Sequence, residues 1–393
     1  MIDEEQLGLA RRRVIALTAA LFLSYLTVAM SLPAVAVHVV HELRLDNASG
    51  GLAVGIAFFS TILMRGWAGS YVDRLGGKHS MQRGLLLYAA AGLICLLASW
   101  PPLPVGGSYT VLIAGRLLLG VGESLANVGM ISWAIGLMGQ VRTGRVMSLV
   151  GIGMYGAYAA GGPLGVMLLN QLGFAWLMVA CTVLPLIGLS AIHWLPAVAP
   201  HHGQRESFWR ILGRIWRPGI TLGLQGVGFA ALGAFFSLYF LSRGWPYAGL
   251  GLTLFGIGFV MVRLLCGHLP DRIGGTPVAV VSLVVEAGGQ YLLWLAPDPY
   301  LALVGALLTG IGCSMVFPAM GTEVAKLVPP HMRGTAFGGF AAFQDVAYAV
   351  TGPVVGLLAD KASYASVFMI GGIAATLALG VAASAYKTAR VTT

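Results

Sequence analysis

Apolar runs of about 20 residues, each long enough to cross a hydrocarbon core of roughly 30 Å as a helix, recur along the whole chain. Polar or Gly/Pro breaks separate them into twelve expected helices near 14–40, 48–70, 80–100, 108–137, 146–169, 173–195, 219–242, 249–270, 277–296, 300–325, 335–359 and 364–386. With 58% hydrophobic and 9% charged residues, the 393-residue chain lacks the polar surface of a water-soluble domain, so its main solvent is lipid. The expected fold is an all-α membrane protein. Arg11 to Arg13 precede an apolar stretch that continues to about Val40, which reads as an uncleaved first span and not as a signal peptide. The longest polar break, Pro200 to Pro218, leaves six helices in 1–199 and six in 219–393. Within it, Ser207 to Trp216 reads as a short amphipathic helix on the membrane surface.

The net charge of +9 is not a nucleic-acid footprint, because the basic residues fall between apolar runs and form no dense blocks with interleaved aromatic residues. If the N-terminus is cytoplasmic, 17 of the 23 Lys and Arg residues fall on the cytoplasmic side, three on the opposite side, and Arg65, Arg116 and Arg263 inside spans. Both termini are therefore expected in the cytoplasm of a multi-pass protein of a bacterial inner membrane. Cys95, Cys181, Cys266 and Cys313 lie singly in apolar runs, a packing pattern without metal or disulfide spacing. "GVGES" (Gly120 to Ser124) has no preceding strand, and the chain has no G-K-[ST], H-E-x-x-H or G-x-S-x-G. Neither an enzyme nor a cofactor is expected, and the energy source is an ion gradient.

The two halves repeat each other. "GLAVGIAFFSTILMRGWAGSYVDRLGG" (Gly51 to Gly77) aligns with Gly249 to Gly275 at an offset of 198 with eight identities, among them Arg65/Arg263, Gly69/Gly267, Asp73/Asp271 and Arg74/Arg272. A second echo has offset 190, pairing "LLLGVGES" (Leu117 to Ser124) with "LLTGIGCS" (Leu307 to Ser314) and "AYAAGGP" with "AYAVTGP". Parallel repeats of six helices suit a transporter with its site between them at mid-membrane.

Twelve spans, the six-plus-six split, and G-x-x-x-D-R-x-G-x-K after span 2 (Gly69, Asp73, Arg74, Gly76, Lys78) resemble the major facilitator superfamily over essentially the whole chain. Within it the sequence looks most like the bacterial YhhS-type transporters, beside the sugar-efflux and drug:proton antiporter groups. The resemblance implies two six-helix bundles related by pseudo-twofold symmetry, usually in a monomer. It also implies a cytoplasmic gate in which Asp73 engages the start of span 11 and nearby basic groups; Arg65, Gly69, Arg74, Gly76, Lys78, Asp271 and Arg272 are the further gate candidates. Gly77 departs from the basic residue the family usually has there, and the second copy carries Thr276 in place of the lysine.

Charges inside spans are the strongest functional signal. In span 4, Arg116, Gly120, Glu123 and Asn127 recur at i, i+4, i+7 and i+11, which puts an arginine, a carboxylate and an amide on one face that cannot meet lipid. R-x-x-x-G-x-G resembles the span-4 motif of proton-coupled members. Glu123 is the expected titrating group and Arg116 the group that sets its proton affinity. At offset 190 these become Cys313 and Ala306, so only the first half is expected to carry coupling chemistry. Tyr25, Gln225, Gln344, Asp345 and Tyr348 are further cavity candidates, and Arg65 with Asp345 a candidate ion pair across the halves. Glu286 and Gln290, one turn apart in span 9, either face helix 7 or 8 or mark a lateral opening. Glu323 is expected to pair with Lys326 or Arg333. Gly162-Pro163 in span 5 and Gly352-Pro353 in span 11 resemble the glycine-proline motif of antiporters and suit bending or tight sealing.

The expected function is proton-coupled export of a small polar or amphipathic molecule, its partners being that substrate, protons and the bilayer. A proton symporter importing a metabolite and a lipid flippase are the alternatives.

Overall fold

The computed structural model describes residues 4–99, 103–139, 143–198, 208–328 and 333–391, and the described residues contain helices and no strand. The helices are α1 (Glu4–Val37), a π-helical turn (His38–Glu42), α2 (Asn47–Leu97), α3 (Val105–Met138), α4 (Thr143–His193), α5 (Phe208–Ser242), α6 (Leu250–Cys266), α7 (Leu269–Ile273), α8 (Gly275–Leu295), α9 (Pro299–Leu327), α10 (Arg333–Lys361) and α11 (Tyr364–Val391). Nine helices among the described residues are long and apolar enough to cross a membrane, and Leu250–Cys266 is a shorter apolar one. Large apolar side chains that a soluble protein would bury are exposed, such as Leu63, Trp176, Leu264, Leu265 and Val281. That surface suits lipid.

Two of the helices, α2 and α4, run for 51 residues each. A straight helix of that length would measure about 76 Å, more than twice the hydrocarbon core. Each is broken by one glycine in a conformation closed to other residues, Gly76 (φ 85°, ψ 160°) and Gly173 (φ 83°, ψ 173°). Ala57 before the break and Gly84 and Tyr88 after it all touch the stretch of α3 from Gly120 to Ala126, so the chain reverses at Gly76. The charged loop expected after span 2 is thus a hairpin turned on a single residue. Gly77 has its own reason to lack a side chain, since a Cβ there would lie 2.6 Å from the Gly129 carbonyl oxygen and 2.7 Å from the Trp133 nitrogen.

The amphipathic stretch expected as a separate surface helix differs: from Phe208 onward it is the start of α5 and runs through Pro218 without a break. Ile215 and Leu222, two turns apart, enter one buried cluster with Val278, Val316 and Phe340, so burial of a continuous stripe holds the helix together across the proline. Of the expected central loop, 200–207 lie outside the described residues.

The chain forms two compact units, one of residues 1–34 with 56–203 and one of residues 35–55 with 204–393. In the second, α2 begins on Asn47, whose backbone and side-chain nitrogens donate to Asp360 Oδ1 at 3.0 and 2.7 Å, while the Ala48 nitrogen donates to Oδ2 at 3.2 Å. Asp46 accepts from the Ser49 amide at 2.8 Å, and these Ser49 bonds hold its carboxyl below the ordinary range. Gly352 and Gly356 of α10 lie against the backbone of Gly51 and of Asn47 and Ala48.

The internal repeat reappears contact by contact. Gly76 and Gly274, 198 apart, share one backbone conformation (φ 85°, ψ 160° and φ 93°, ψ 152°). A Cβ on Gly120 would strike the Ala57 carbonyl oxygen, and one on Gly310 would strike that of Phe255; the helix pairs are offset by 190 and 198. Gly77 against Gly129 matches Gly275 against Ala319 by the same two offsets. Gly120→Ala is therefore expected to destabilise the purified protein by about 1–3 kcal/mol through overpacking. Gly66→Ala, where a Cβ meets nothing within 4 Å, is expected to leave thermal unfolding in detergent unchanged or slightly raised.

Candidate functional site

The face predicted on α3 is buried inside the first unit. Arg116 and Glu123 are 2% and 7% exposed, and Asn127 is partly buried. Close approach of α2 at Gly120 brings Thr61 to the same place, where its hydroxyl lies 3.1 Å from the Gly120 carbonyl and 3.5 Å from Glu123 Oε2. From α1, the Tyr25 hydroxyl donates to Glu123 Oε1 at 3.0 Å and accepts from Asn127 Nδ2 at 3.1 Å. The Arg116 guanidinium donates to the Ser31 hydroxyl at 2.8 Å and lies within electrostatic reach of Glu123. Tyr25 also meets the edge of the Tyr158 ring, with centroids 6.2 Å apart. Tyr25, Arg116, Glu123 and Asn127 thus lie in one polar cluster, the last three on the single face of α3 that their spacing predicts and Tyr25 brought to it by the fold.

The second unit gathers Gln225 of α5 with Gln344 and Tyr348 of α10. Gln344 Nε2 donates to Gln225 Oε1 at 3.3 Å, and Tyr348 packs on Phe229, one turn beyond Gln225, with ring centroids 5.0 Å apart. Asp345 is 7% exposed in α10, and Arg65 is partly buried in α2 of the first unit. Glu323 pairs with Lys326 at 3.0 Å, one of the two expected partners.

The motif after the second expected span divides into separate tasks. Lys78 Nζ donates to the Leu195 carbonyl at 2.6 Å beyond the end of α4, and the Trp133 indole donates to the Pro196 carbonyl at 3.0 Å. Together they tie down the chain leaving α4. Arg83 stacks over the Tyr71 ring at 5.2 Å, Arg74 is exposed, and Asp73 is partly buried and engaged in polar interaction. In the second copy, Asp271 and Arg272 are exposed on the short α7, and Arg263 covers the Phe259 ring at 5.1 Å. Pro163 and Pro353 lie inside α4 and α10.

Of the two arrangements expected for Glu286 and Gln290, the structure has them facing the seventh expected span, α5. Both are fully buried, facing Gly228 of α5, Thr309 and Gly312 of α9, and Gly371 of α11. A signal for this was present in the sequence: adding 198 to Tyr88 gives Glu286, and adding 190 to Glu123 gives Cys313. Tyr88 lies beside Glu123, and Glu286 beside Cys313, so each unit holds one carboxyl group at the same helix–helix contact.

An all-helical membrane protein with lipid-facing apolar sides, a two-fold internal repeat and ionisable groups sealed within its bundles is built as a polytopic carrier. The family model of the Major Facilitator Superfamily matches residues 17–251 and 246–392. An MFS-type transporter of Salmonella typhimurium is 42% identical over 366 residues, covering 93% of this chain and 94% of that one. Among solved structures, a D-xylose–proton symporter has a TM-score of 0.76 at 17% identity over 93% of this chain and 96% of that one, and the nucleoside transporter NupG 0.75 at 15% over 95% and 99%. At such identities these two share the fold. The chain belongs to the Major Facilitator Superfamily and is a membrane transporter.

Tyr25→Phe removes a hydroxyl that serves Glu123 and Asn127 together. It is expected to cost about 1–3 kcal/mol of stability, because a buried carboxyl oxygen loses its donor, and to lower the thermal midpoint of the purified protein.

Proposed function

We propose that this transporter moves a small polar or amphipathic molecule by proton antiport across a bacterial inner membrane, with twelve spans and both termini in the cytoplasm. The observation that carries the reading is the buried Arg116–Glu123–Tyr25–Asn127 network, since ionisable groups sealed inside spans are costly and mark ion or substrate pathways. Glu123 takes up and releases the coupling proton. Arg116 supplies the counter-charge when Glu123 is ionised, and Tyr25 and Asn127 hold its carboxyl group in place. Gln225, Gln344 and Tyr348 offer the substrate hydrogen bonds and an aromatic face. Asp73, Arg74 and Lys78, with Asp271 and Arg272, shape the cytoplasmic gate. The glycine-proline sites Gly162-Pro163 and Gly352-Pro353 agree with export, and the closer likeness to YhhS-type transporters belongs to the same proposal.

Purified protein in liposomes with an internal pH dye, challenged with pools of sugars, metabolites and cationic drugs, tests the reading. A substrate-driven pH change in the wild type that falls to the empty-liposome level in Glu123→Gln supports it, and the sign of that change separates antiport from symport. Substrate movement without proton flux rejects coupling and leaves a uniporter.

A further inference from the structure

Glu286 is a carboxyl group of the second unit whose interacting neighbours carry no counter-charge. It is fully buried in α8, and neither oxygen makes a hydrogen bond of ordinary geometry. Among the described residues that interact with it, Cys313 of α9 is the one titratable group and Gln225 of α5 the other polar one, and neither is charged. Gln290, one turn away on α8, donates to the Gly228 carbonyl at 3.2 Å and to the Thr309 hydroxyl at 3.3 Å, leaving its own Oε1 unpartnered. From α11 the site is closed by Gly371, which lies against that same Oε1.

The packing decides what can occupy such a site. A Cβ on Gly228 would come within 2.9 Å of Glu286 Oε1, and one on Gly312 within 2.6 Å of the Glu286 Cβ. A methyl group fits at neither position. A metal ion needs several oxygen ligands at a distance of about 2 Å or more, and a hydrated or organic cation needs more room still. A proton needs none. An ionised carboxylate buried without a counter-charge costs several kcal/mol or more, whereas the neutral acid can remain in place and donate to the nearby amide. The repeat supplies an independent argument, because Glu286 stands where Tyr88 stands beside Glu123 in the first unit.

We infer that Glu286 is a second proton-binding site of this transporter: its carboxyl group accepts one proton from water, held beside Gln225 and Cys313, and returns it to water when the bundle opens. The inference does not rest on the coupling role of Glu123. The test is infrared spectroscopy of the full-length protein in phospholipid vesicles, following the C=O stretch of protonated carboxyl groups from mildly acidic to strongly alkaline pH and on transfer to deuterium oxide. The expected result at neutral pH is one such band that is lost in Glu286→Gln, shifted in Glu286→Asp and retained in Glu123→Gln. That band should fade on alkalinisation and move on deuteration. Absence of a band assignable to Glu286 at neutral pH overturns the inference, as does a band that responds neither to pH nor to deuterium, which would mark a sealed structural acid. The aspartate variant keeps the test decisive if the glutamine variant does not fold. Loss of proton coupling in Glu123→Gln while the Glu286 band behaves as expected would separate the two sites.

Discussion

Backbone-to-backbone contact between neighbouring helices is the constraint on which the rest of this protein depends. Lipid is as apolar as leucine, so helices in a membrane associate by packing and internal polar bonds, and small residues let them approach closely. Here Gly120 sits on the Ala57 carbonyl, and Gly310 sits on that of Phe255. With α2 drawn onto α3, Thr61 reaches both the Gly120 carbonyl and Glu123, and with α5 and α9 closed on α8, Glu286 is sealed beside Cys313. A bulkier residue at these contacts would separate the polar groups before it touched any of them.

Much of the fold is legible in the sequence because lipid imposes a coarse grammar. Runs of apolar residues have to become helices, and interruptions have to become turns. What that grammar leaves out are places where a single residue replaces a loop. Gly76 and Gly173 reverse the chain with one positive-φ residue each, so segments that read as separate spans joined by a loop form one hairpin. Gly77 reads as a missing charge, yet the Gly129 and Trp133 backbone leaves no space for any side chain there. The stretch from Phe208 to Trp216 has the polarity of a surface helix, but Ile215 carries the buried stripe of α5 across Pro218, a tertiary effect that local pattern does not contain.

The site follows the same rule. Arg116, Glu123 and Asn127 are readable because their spacing puts them on one face of one helix, and an apolar run rarely keeps a charge for which the protein has no use. Tyr25 and Thr61, which serve Glu123, come from other helices, and only the fold brings them together. Glu286 escapes notice when the repeat is traced along single helices. Helix by helix, Glu123 becomes Cys313 and the carboxylate drops out of the comparison. Traced across the contact, it has moved to the neighbouring helix.

That exchange bears on how a repeated fold can acquire two different sites. Each unit keeps a carboxyl group opposite a weakly acidic partner, Glu123 opposite Tyr88 and Glu286 opposite Cys313, but the carboxyl group stands on opposite sides of the contact. On α3, Glu123 receives the Tyr25 hydroxyl and has the Arg116 guanidinium in reach, so its ionised form has both a donor and a counter-charge. On α8, Glu286 has an amide and a thiol beside it and no charge among its described neighbours. The two carboxyl groups thus stand in unlike surroundings, one with a hydroxyl donor and a guanidinium in reach, the other beside an amide and a thiol. Had both halves kept the carboxylate on the same helix with the same arginine, the repeat would have produced two copies of one site. Moving it across the helix contact preserves the packing and changes the electrostatics, and the transporter thereby gains a second kind of ionisable position without altering its frame.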